Sequence, residues 1–276
     1  MSKTIPHLQN ERYELLENIG VGAIASVWKA FDREKERPVA VKVMHQGAME
    51  LEQIQRLALE VDILSKLKHP CIIEVFGTGV WGAQVGPYVV MEWVDGINLR
   101  EKLSQTPILP TKEVVHLVGQ ICGALNAAHQ AAVVHRDLKP ENVLLCSPEY
   151  RQVKVVDFGM AKLLQPGGPA LTREKMTFGT PEYMSPERVL GKTVGASADI
   201  YALGIMTYEM LSGRRPFSGE SPVDVMHAQL RDETPPLPEV APVLQKAVLS
   251  ALAKEEKQRP SAIEFACALG LAAHTA

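Results

Sequence analysis

The chain has 276 residues, a net charge of −3, 46% hydrophobic residues and 22% charged residues. This composition indicates a globular protein and excludes a disordered or a fibrous one. The near-neutral balance also argues against a nucleic-acid module or a membrane-surface module, because each would need a net basic face. The sequence has no run of the ~18 apolar residues that a membrane span needs, and its N-terminus lacks the apolar core of a signal peptide. We therefore expect a cytoplasmic protein.

The N-terminal part of the chain, up to the turn dipeptide Asp95-Gly96, has the pattern of a small β-rich lobe. Short runs of β-favouring residues are separated by turn signals: Ala25–Phe31, Val39–Met44 and Tyr88–Trp93. One stretch of helix-forming residues, roughly Glu50–Lys68, ends at His69-Pro70, because the proline disfavours a further helical turn.

After Asp95-Gly96 the pattern becomes helical. One predicted helix carries a core-facing stripe of apolar residues at spacings of three and four: Val114, Val118, Ile121, Leu125 and Ala128. The segment Ala198–Leu211 is apolar nearly all round and predicts a buried central helix. Between them, Leu163–Lys192 is rich in Gly, Pro and Thr and predicts a long functional loop. The chain is therefore predicted to have a small β-rich lobe, a short hinge and a larger helical lobe.

A G-x-G-x-x-A element is formed by Gly20, Gly22 and Ala25. Glycines let backbone N–H groups approach a phosphate, because no Cβ stands in the way. The same spacing also opens dinucleotide-binding folds and ordinary hairpins. A dinucleotide fold needs a helix after the glycines, whereas Ser26–Phe31 is strand-like. A phosphate-binding hairpin and a plain hairpin both stay open at this point.

One lysine and one glutamate stand among apolar residues. Lys42 interrupts the predicted strand Val39–Met44, and Glu60 occupies a position in the apolar stripe of the predicted helix, between Leu57 and Leu64. A carboxylate in such a stripe needs a cation, since unpaired burial costs several kcal/mol. Lys42 is the natural partner, and the pair would hold its ammonium group toward phosphates bound at the glycine element.

Two polar clusters stand at the ends of predicted elements, where side chains can converge on one cleft: His135–Asn142 and Asp157–Gly159. Asp157 and Asn142 offer the hard oxygen ligands that magnesium takes together with phosphate oxygens and water. Asp137 is then free to accept a proton from a substrate hydroxyl as a positioned base. Lys139 can stabilise the charge on a phosphoryl group during transfer.

With these motifs in this order, the sequence resembles the eukaryotic-type (Hanks-type) serine/threonine protein kinases, and the resemblance covers essentially the whole chain. It rests on the glycine element, Val39–Lys42, His135–Asn142, Asp157–Gly159 and Ser185–Glu187. The stretches Tyr88–Leu99 and Gly179–Glu187 are especially similar to bacterial membrane-associated kinases of this class.

The resemblance implies an α+β, bilobal protein-kinase fold in one catalytic domain. The N-lobe, over about residues 1–94, would be a small antiparallel β-sheet with one helix. The hinge and a mainly helical C-lobe would follow over about residues 95–276. Lys139 within the catalytic loop is typical of the serine/threonine branch.

The resemblance also implies ATP and Mg²⁺ as cofactors, with Mn²⁺ as an alternative metal. Lys42 would contact the α- and β-phosphates and pair with Glu60, while Asn142 and Asp157 would hold two magnesium ions. Met91 would be the gatekeeper, and the backbone of Glu92 to Val94 the hinge that reads adenine. The implied nucleotide-contacting residues are Gly20, Val21, Gly22, Val27, Ala40, Lys42, Met91, Glu92, Val94 and Leu144.

For the catalytic loop and the protein substrate, the resemblance implies further roles. Asp137 would be the catalytic base, and Thr180, within a segment that resembles a substrate-docking loop, would bond toward Asp137 and Lys139. Asp199 would hold the backbone of the catalytic loop from a buried helix. Arg259 would pair with Glu187.

Three positions depart from the family pattern, and none of them removes a catalytic group. Ala25 replaces the third glycine of the loop, and Ser185 replaces an alanine. Asn98 stands where some kinases that prefer basic substrates carry an acid, so a preference for basic substrates is not expected.

Regulation by phosphorylation is also expected from the resemblance. Arg136 precedes the predicted base, and in the family such an arginine meets a phosphothreonine. Thr172 is favoured as the phosphorylated residue and Thr177 is second, both between Asp157 and Glu187. Autophosphorylation in trans, through a transient homodimer, would follow.

Two other functions remain as alternatives. A pseudokinase or scaffold would have no chemical need for the complete polar set of Lys42, Glu60, Asp137, Asn142 and Asp157. A small-molecule kinase on the same fold is disfavoured by the segments around Thr180 and Ser185, which serve protein substrates in the family. The expected substrates are therefore serine- or threonine-containing proteins.

The cysteines bear on the compartment. They lie far apart, form no CxxC pair and predict buried thiols in a reducing environment: Cys71, Cys122, Cys146 and Cys267. Related bacterial chains often continue into a membrane span and a sensor domain, so an excised cytoplasmic catalytic domain and a free-standing kinase both stay open.

Overall fold

The computed structural model describes residues 12–22, 24–45, 51–81, 86–158, 180–237 and 239–274. Within these ranges the chain divides into two compact units. The first contains the residues up to Lys68 together with Ile73–Asp95, and the second contains His69–Ile72 together with the chain from Gly96 onward. Each unit has a β-sheet of its own.

The first unit combines an antiparallel sheet with a helix. Its strands are β1 (Tyr13–Val21), β2 (Ala25–Asp32), β3 (Arg37–Met44), β4 (Val75–Trp81) and β5 (Gly86–Glu92), in the spatial order β1-β2-β3-β5-β4. The helix α1 spans Leu51–Lys66 and packs against β4. Valines at alternate positions of β3 favour this strand, because β-branched side chains pack well on a pleated surface.

One face of this sheet carries a hydrophobic core. Buried side chains from β1, β2, β3 and β5 meet there: Tyr13, Leu15, Ala30, Val39, Val41, Val43, Tyr88 and Val90. Because side chains alternate along a strand, Ala40 and Lys42 of β3 lie on the opposite face. Lys42 pairs with Val27 of β2 on one side and with Val89 of β5 on the other, so it stands in the middle of the sheet.

The second unit is mainly helical, with a short antiparallel sheet of β6 (Gly96–Asn98), β7 (Val143–Cys146) and β8 (Val153–Val155). Its helices are α2 (Leu99–Gln105), α3 (Thr111–Gln130), α4 (Pro186–Val189), α5 (Ala196–Ser212), α6 (Pro222–Arg231), α7 (Pro242–Ala251) and α8 (Ala262–His274). Single 3₁₀ turns occupy Pro140–Asn142, Pro181–Tyr183 and Glu256–Gln258.

Helix α5 is the centre of the second unit. Every residue from Ala198 to Leu211 is buried, because α3 and α7 pack on it from different sides. The predicted stripe of α3, from Val114 to Ala128, is completely buried. The prediction of a buried central helix and of a core-facing helix is thus confirmed, and so is the α+β class with a β-rich N-terminal unit and a helical C-terminal unit.

Two boundaries differ from the sequence-based expectation. Helix α1 ends at Lys66 rather than Lys68, because the N–H of Leu67 bonds the carbonyl of Leu64 in a tightened last turn. The region predicted as one loop up to Lys192 contains a 3₁₀ turn and helix α4 in its described part. Pro181 and Pro186 start these turns, since proline suits the first helical position.

The thiols are only partly as predicted. Cys71 and Cys122 are buried, but Cys146 is half-buried and Cys267 is exposed on α8, so the expectation of burial was wrong for these two. Across the described residues, none of the helices combines the length and the hydropathy that crossing a membrane requires.

Candidate active site

The glycine element forms the turn between β1 and β2. Gly20 pairs with Val27, Val21 pairs with Ser26, and the N–H of Gly22 donates to the carbonyl of Ala25 at 2.8 Å. Among the described residues, a Cβ placed on Gly20 would meet no atom within 4 Å, and one on Gly22 would meet the carbonyl oxygen of Ala25 at 3.4 Å. Packing inside the described part of the unit therefore does not require glycine at position 20. The close approach of a ligand to the backbone would require it, because a glycine has no Cβ to obstruct the ligand.

The strand register brings four predicted nucleotide contacts onto one face of the sheet. Val27 pairs with Lys42, and Ala40 pairs with Met91. Ala40 and Lys42 are two residues apart on β3, so all four side chains leave the sheet on the side opposite the hydrophobic core. The glycine turn continues this surface, since Gly20 is the register partner of Val27.

The other predicted residues of the first unit lie on α1 and at the end of β5. Glu60 is half-buried next to the buried Val61, on the side of α1 that also buries Leu57 and Leu64. Glu92 and Val94 are half-buried, and the N–H of Glu92 donates to the carbonyl of Glu74 at 2.9 Å. The ion pair between Lys42 and Glu60 stays a prediction.

In the second unit, the buried Asp199 at the start of α5 fixes the backbone of the catalytic loop. Its Oδ2 accepts the N–H of His135 at 2.9 Å, and its Oδ1 accepts the N–H of Arg136 at 2.9 Å. Nε2 of His129, in the last turn of α3, lies 2.8 Å from the same Oδ2. Asp199 is only 1% exposed, so these bonds are charge-assisted and poorly screened. The role that the resemblance implied for Asp199 is confirmed.

His135 is completely buried and connects the two acidic motifs. Its Nε2 lies 2.8 Å from the carbonyl of Val156, the residue before Asp157, and its Nδ1 accepts the N–H of Asp137 at 3.3 Å. Its ring packs on that of Phe158 with the centroids 4.7 Å apart. The His135 imidazole therefore contacts the backbone at Asp137 and at the residue before Asp157, and so connects the two predicted acids.

The carboxylate of Asp137 meets the catalytic-loop lysine. Nζ of Lys139 lies 2.8 Å from Oδ2 of Asp137 and donates to the hydroxyl of Thr180 at 3.3 Å. Base, lysine and threonine thus line one cavity of the second unit. Asp137 and Thr180 thus each contact Lys139, while the direct bond from Thr180 to Asp137 stays a prediction.

Asn142 and Asp157, the predicted metal ligands, are neighbours in the second unit. The amide nitrogen Nδ2 of Asn142 donates to the carbonyl of Asp137 at 2.8 Å, and the N–H of Val156 donates to the carbonyl of Asn142 at 3.0 Å. Because Nδ2 is used in this way, Oδ1 is the atom of Asn142 that can face a cation. One carboxylate and one amide oxygen suit magnesium, which completes its octahedron with phosphate oxygens and water.

The backbone at both acidic motifs is unusual. Asp157 has φ +63° and Arg136 has φ +68°, in the left-handed region that non-glycine residues seldom adopt. Such residues persist where the surroundings hold them, and they cluster at functional sites. Here the surroundings are the bonds from Asp199 to Arg136 and from His135 to the residue before Asp157.

A buried ion pair anchors the end of the segment that carries Thr180. Nη1 and Nη2 of Arg259 each donate to one oxygen of Glu187 at 2.8 Å. Burial raises the pKa of Glu187, but the hydrogen bonds and the charge of Arg259, together with a backbone hydrogen bond, leave that pKa below its ordinary value. Arg259 also donates to the carbonyls of Ser197, Ala253 and Lys254. The predicted pair is confirmed.

Sequence reasoning missed several residues of this site. Nη1 of Arg188, on α4, donates to the carbonyl of Arg136 and lies 3.7 Å from Oδ1 of Asp137. Burial lowers the pKa of this guanidinium, and the nearby carboxylates of Asp137 and Asp199 oppose that effect. Its position next to Glu187 gave no signal, because a lone arginine in a sequence is ordinarily a solvated residue.

A second missed group supports the turn Pro181–Tyr183. The hydroxyl of Tyr183 donates to Oε2 of Glu209 at 2.5 Å, and Nη1 of Arg100 donates to Oε1 of Glu209 at 2.9 Å. Arg100 also bonds Tyr183 and, at 3.2 Å, Glu141 of the catalytic loop. The buried acid Glu209 in an apolar helix was a usable signal for such a network.

Four further predictions concern residues at the margins of the site. Leu144 is half-buried on β7, where it pairs with Lys154 of β8. Asn98 is the N-cap of α2, because its side chain accepts the N–H of Glu101 in a capping box. Thr172 and Thr177 lie outside the described residues.

Comparison with known proteins matches this arrangement to one family. The family described as "Protein kinase domain" matches residues 13–268. This chain belongs to the protein kinase family. The predicted family is therefore confirmed, and this family accounts for both acidic motifs and the glycine turn.

Several curated relatives with similar sequences are bacterial proteins. The chain is 39% identical over 266 residues to the serine/threonine-protein kinase PknB of Mycolicibacterium smegmatis, covering 93% of this chain and 42% of that protein. It is 37% identical over 265 residues to PknB of Mycobacterium tuberculosis, with the same coverage. It is 35% identical over 260 residues to a probable PknB of Lactococcus lactis, covering 92% of this chain and 40% of that protein. The chain thus spans about two fifths of the length of these relatives.

Proposed function

We propose that this chain is the catalytic domain of an active protein kinase that transfers the γ-phosphoryl group of ATP to serine and threonine hydroxyls of proteins. The observation that carries the proposal is the Asp137 carboxylate, which lies 2.8 Å from Nζ of Lys139 in a loop whose backbone Asp199 holds. Membership of the protein kinase family and the names of the bacterial relatives support it. The proposed domain has an N-lobe over about residues 1–94 and a hinge and C-lobe over about 95–276.

Asp137 is the proposed catalytic base. Its carboxylate accepts the proton of the substrate hydroxyl while the hydroxyl oxygen bonds to the γ-phosphorus and the bond from that phosphorus to the β–γ bridging oxygen breaks. Lys139 and Thr180 hold the orientation of this carboxylate, since Lys139 touches both. Lys139 also places a positive charge where the transferred group is negative.

Asn142 and Asp157 are the proposed ligands of magnesium, with manganese as an alternative. When bound, the metal neutralises charge on the phosphates and aligns them. The carbonyl of Asp137 holds Asn142, and the bond of His135 to Val156 fixes the backbone that leads into Asp157. The protein thereby sets both ligand positions through backbone contacts rather than through the metal itself.

The first unit supplies all the proposed nucleotide contacts except Leu144, which belongs to the second unit. Gly20, Val21 and Gly22 would approach the phosphates, and Lys42, paired with Glu60, would hold them by charge. Val27, Ala40, Met91 and Leu144 would contact the adenine ring, and the backbone of Glu92 to Val94 would read its polar edge. The shared face of Val27, Ala40, Lys42 and Met91 supports this assignment for the sheet.

Regulation is proposed to act through Arg136. Its Nε is buried and has no hydrogen-bond partner among the described residues, which suits a guanidinium that receives an anion later. A phosphate adds about −1.5 to −2 charge and three acceptor oxygens, enough to engage such a group. Thr172 is the proposed phosphosite and Thr177 the second candidate, with autophosphorylation in trans between two copies.

The partners are proposed to be proteins that present serine or threonine, and a second copy of this chain during autophosphorylation. The proposed location is the cytoplasm, either for the free chain or for a catalytic domain of a membrane-anchored protein. ATP as the substrate is consistent with that compartment.

The test is incubation of the purified protein with γ-labelled ATP and magnesium, beside Asp137→Asn and Lys42→Ala. We expect label on threonine in the wild type and a loss of about 10²–10⁴-fold in Asp137→Asn, the range that removal of a general base produces. Asp224→Asn, at an exposed helix start, serves as the control with unchanged activity.

Mapping the label separates the proposed phosphosites. Label on Thr172 or Thr177 supports the regulatory part, and label elsewhere contradicts it without touching the assignment of Asp137. A wild type that gains thermal stability with ATP but labels neither itself nor a generic protein substrate contradicts the enzyme and favours a nucleotide-binding scaffold.

A further inference from the structure

Arg188 makes a contact with the proposed base that no family motif accounts for. Its side chain is 13% exposed, and a single atom, Nη1, both donates to the carbonyl of Arg136 and lies 3.7 Å from Oδ1 of Asp137. The other oxygen of the same carboxylate, Oδ2, is held by Lys139 at 2.8 Å. Lys139 and Arg188 therefore face different oxygens of the Asp137 carboxylate.

The two cations come from different parts of the chain. Lys139 belongs to the same loop as Asp137, two residues further along the chain. Arg188 belongs to α4, which is anchored independently, because the adjacent Glu187 is locked to Arg259 by two bonds of 2.8 Å. Arg188 thus contacts the Asp137 carboxylate from a helix outside the catalytic loop.

The backbone bond of Arg188 acts at a strained position. Arg136 has φ +68°, a conformation that must be held by its surroundings. Asp199 holds the N–H of this residue, and Arg188 holds its carbonyl. Arg136, the residue before Asp137, is therefore fixed at its N–H by Asp199 and at its carbonyl by Arg188.

We propose that Arg188 is a positioning residue for phosphoryl transfer, which sets the direction of the Asp137 carboxylate through an ion pair with its Oδ1 and a hydrogen bond to the carbonyl of Arg136. This inference rests on the proposed function, since it assigns a role through the proposed base. A guanidinium suits this task because Nη1 carries two N–H donors in fixed directions, so that its contacts are more closely oriented than those of a freely rotating ammonium.

The consequence is an effect on the rate of the chemical step rather than on nucleotide binding. Arg188→Met keeps the stem of the side chain and removes the charge and the donors. Misplacement of a catalytic group by about 1 Å costs on the order of 10²-fold, so we expect kcat to fall by about 10²-fold with the KM for ATP unchanged. Arg188→Lys keeps the charge with one point of contact, and we expect an intermediate loss of kcat.

The experiment is a double-variant cycle on kcat, with wild type, Arg188→Met, Asp137→Asn and the double variant. A residue that acts through Asp137 has nothing left to position in the Asp137→Asn background. We therefore expect the double variant to have the residual kcat of Asp137→Asn within about twofold, against the roughly 10²-fold effect in the wild-type background. A merely structural role predicts a similar further loss in both backgrounds.

Arg231→Met is the matched control. Arg231 is exposed in the last turn of α6, on the same unit as Arg188 and outside the residues that the site uses. Its loss is expected to leave kcat within twofold. Each variant is also melted with and without ATP, so that rates are compared per folded molecule.

Each outcome decides the proposal. A kcat of Arg188→Met within twofold of wild type, an increase in kcat, or equal losses in both backgrounds overturns it while leaving the proposed function intact. If Arg188→Met does not fold, the cycle is run with Arg188→Lys, for which an unchanged kcat overturns the proposal. A wild type without any phosphoryl transfer overturns the proposed function, and this inference with it.

Discussion

The glycine turn of the first unit and the catalytic loop of the second are held by different kinds of contact. The turn is defined by strand register and one backbone bond, from the N–H of Gly22 to the carbonyl of Ala25. The catalytic loop is held by side chains that come from far along the sequence, above all Asp199 and Arg188. The first has open space at Gly20, whereas the second buries His135, Leu138 and Asn142 and contacts the buried carboxylate of Asp199.

The difference follows from what each region has to do. A loop that binds phosphates needs backbone N–H groups that no side chain obstructs. Glycine leaves them accessible because it has no Cβ, but it loses more conformational entropy on folding than other residues do. A base must keep its direction within a fraction of an ångström, and only charge-assisted bonds from rigid elements hold it so closely. Substitutions should therefore affect the turn and the loop in different observables.

The largest expected effect comes from Asp199→Asn. The carboxylate offers acceptors to two backbone N–H groups and to His129, whereas an asparagine must point its amide nitrogen at one of these donors. We expect a loss of about 3–5 kcal/mol in the free energy of unfolding, the range for breaking a buried charged contact. Urea denaturation measures it, and the catalytic rate should fall as well.

Asp62→Asn is the control for that experiment. Asp62 is exposed and pairs with Lys66 one helical turn later, so its loss should change the free energy of unfolding by less than about 0.5 kcal/mol. Equal effects of the two substitutions would mean that the catalytic loop is not held by Asp199.

The next effect is expected at the anchor of α4. Arg259→Met leaves the Glu187 carboxylate buried without its bidentate partner and should cost about 3–5 kcal/mol of unfolding free energy. Removing both charges in Arg259→Met with Glu187→Met should cost less than the single change, because no charge is then stranded. Arg56→Met, in an exposed pair with Glu52, is the control. A double variant less stable than Arg259→Met would contradict this account.

Glycine substitutions test the other side of the comparison. Gly20→Ala should change the free energy of unfolding by less than about 0.5 kcal/mol, because the added Cβ meets no atom within 4 Å. The KM for ATP should nevertheless rise several-fold, since the methyl group obstructs the phosphates. Gly119→Ala, where a Cβ also meets open space, should leave that KM unchanged. Loss of stability without a change in KM would show that the turn is structural.

The smallest effect is a pH dependence at Lys254, a cation of the second unit whose hydrogen-bond partners are neutral carbonyls. It donates to the carbonyls of Ala228 and Gln229 and lies over the ring of Phe217. Burial lowers the pKa of Lys254 from 10.5 to about 8. Between these values the unfolded chain binds more protons than the folded chain, so stability rises with pH.

The measurement is the difference in unfolding free energy between wild type and Lys254→Met. This difference should move in favour of the wild type as the pH rises from about 8 toward 10.5, with most of the change complete at the upper value. A difference that is constant or that falls over this range would contradict the lowered pKa. Partial exposure of the side chain keeps the effect smaller than those at Asp199 and Glu187.

Much of the fold could be predicted because local patterns carry it. The stripe from Val114 to Ala128 and the apolar run Ala198–Leu211 predicted two helices that the structure contains at those places. The short helical turns after Thr180 were missed, because the prolines that start them also mark loops. The exposed Cys267 was missed because cysteine has no periodicity of its own.

The sequence by itself predicted the family and the candidate acids, lysines and glycines, and through the resemblance it also predicted that Asp199 holds the backbone of the catalytic loop. Only the tertiary structure revealed the contacts of Arg188, which reaches Arg136 and Asp137 across more than fifty residues of chain. Motifs record what a reaction needs at fixed spacings, whereas a buried polar contact depends on which surfaces the packed helices bring together. For that reason the candidate catalytic residues and Asp199 could be named from motifs in the sequence, whereas Arg188 could not.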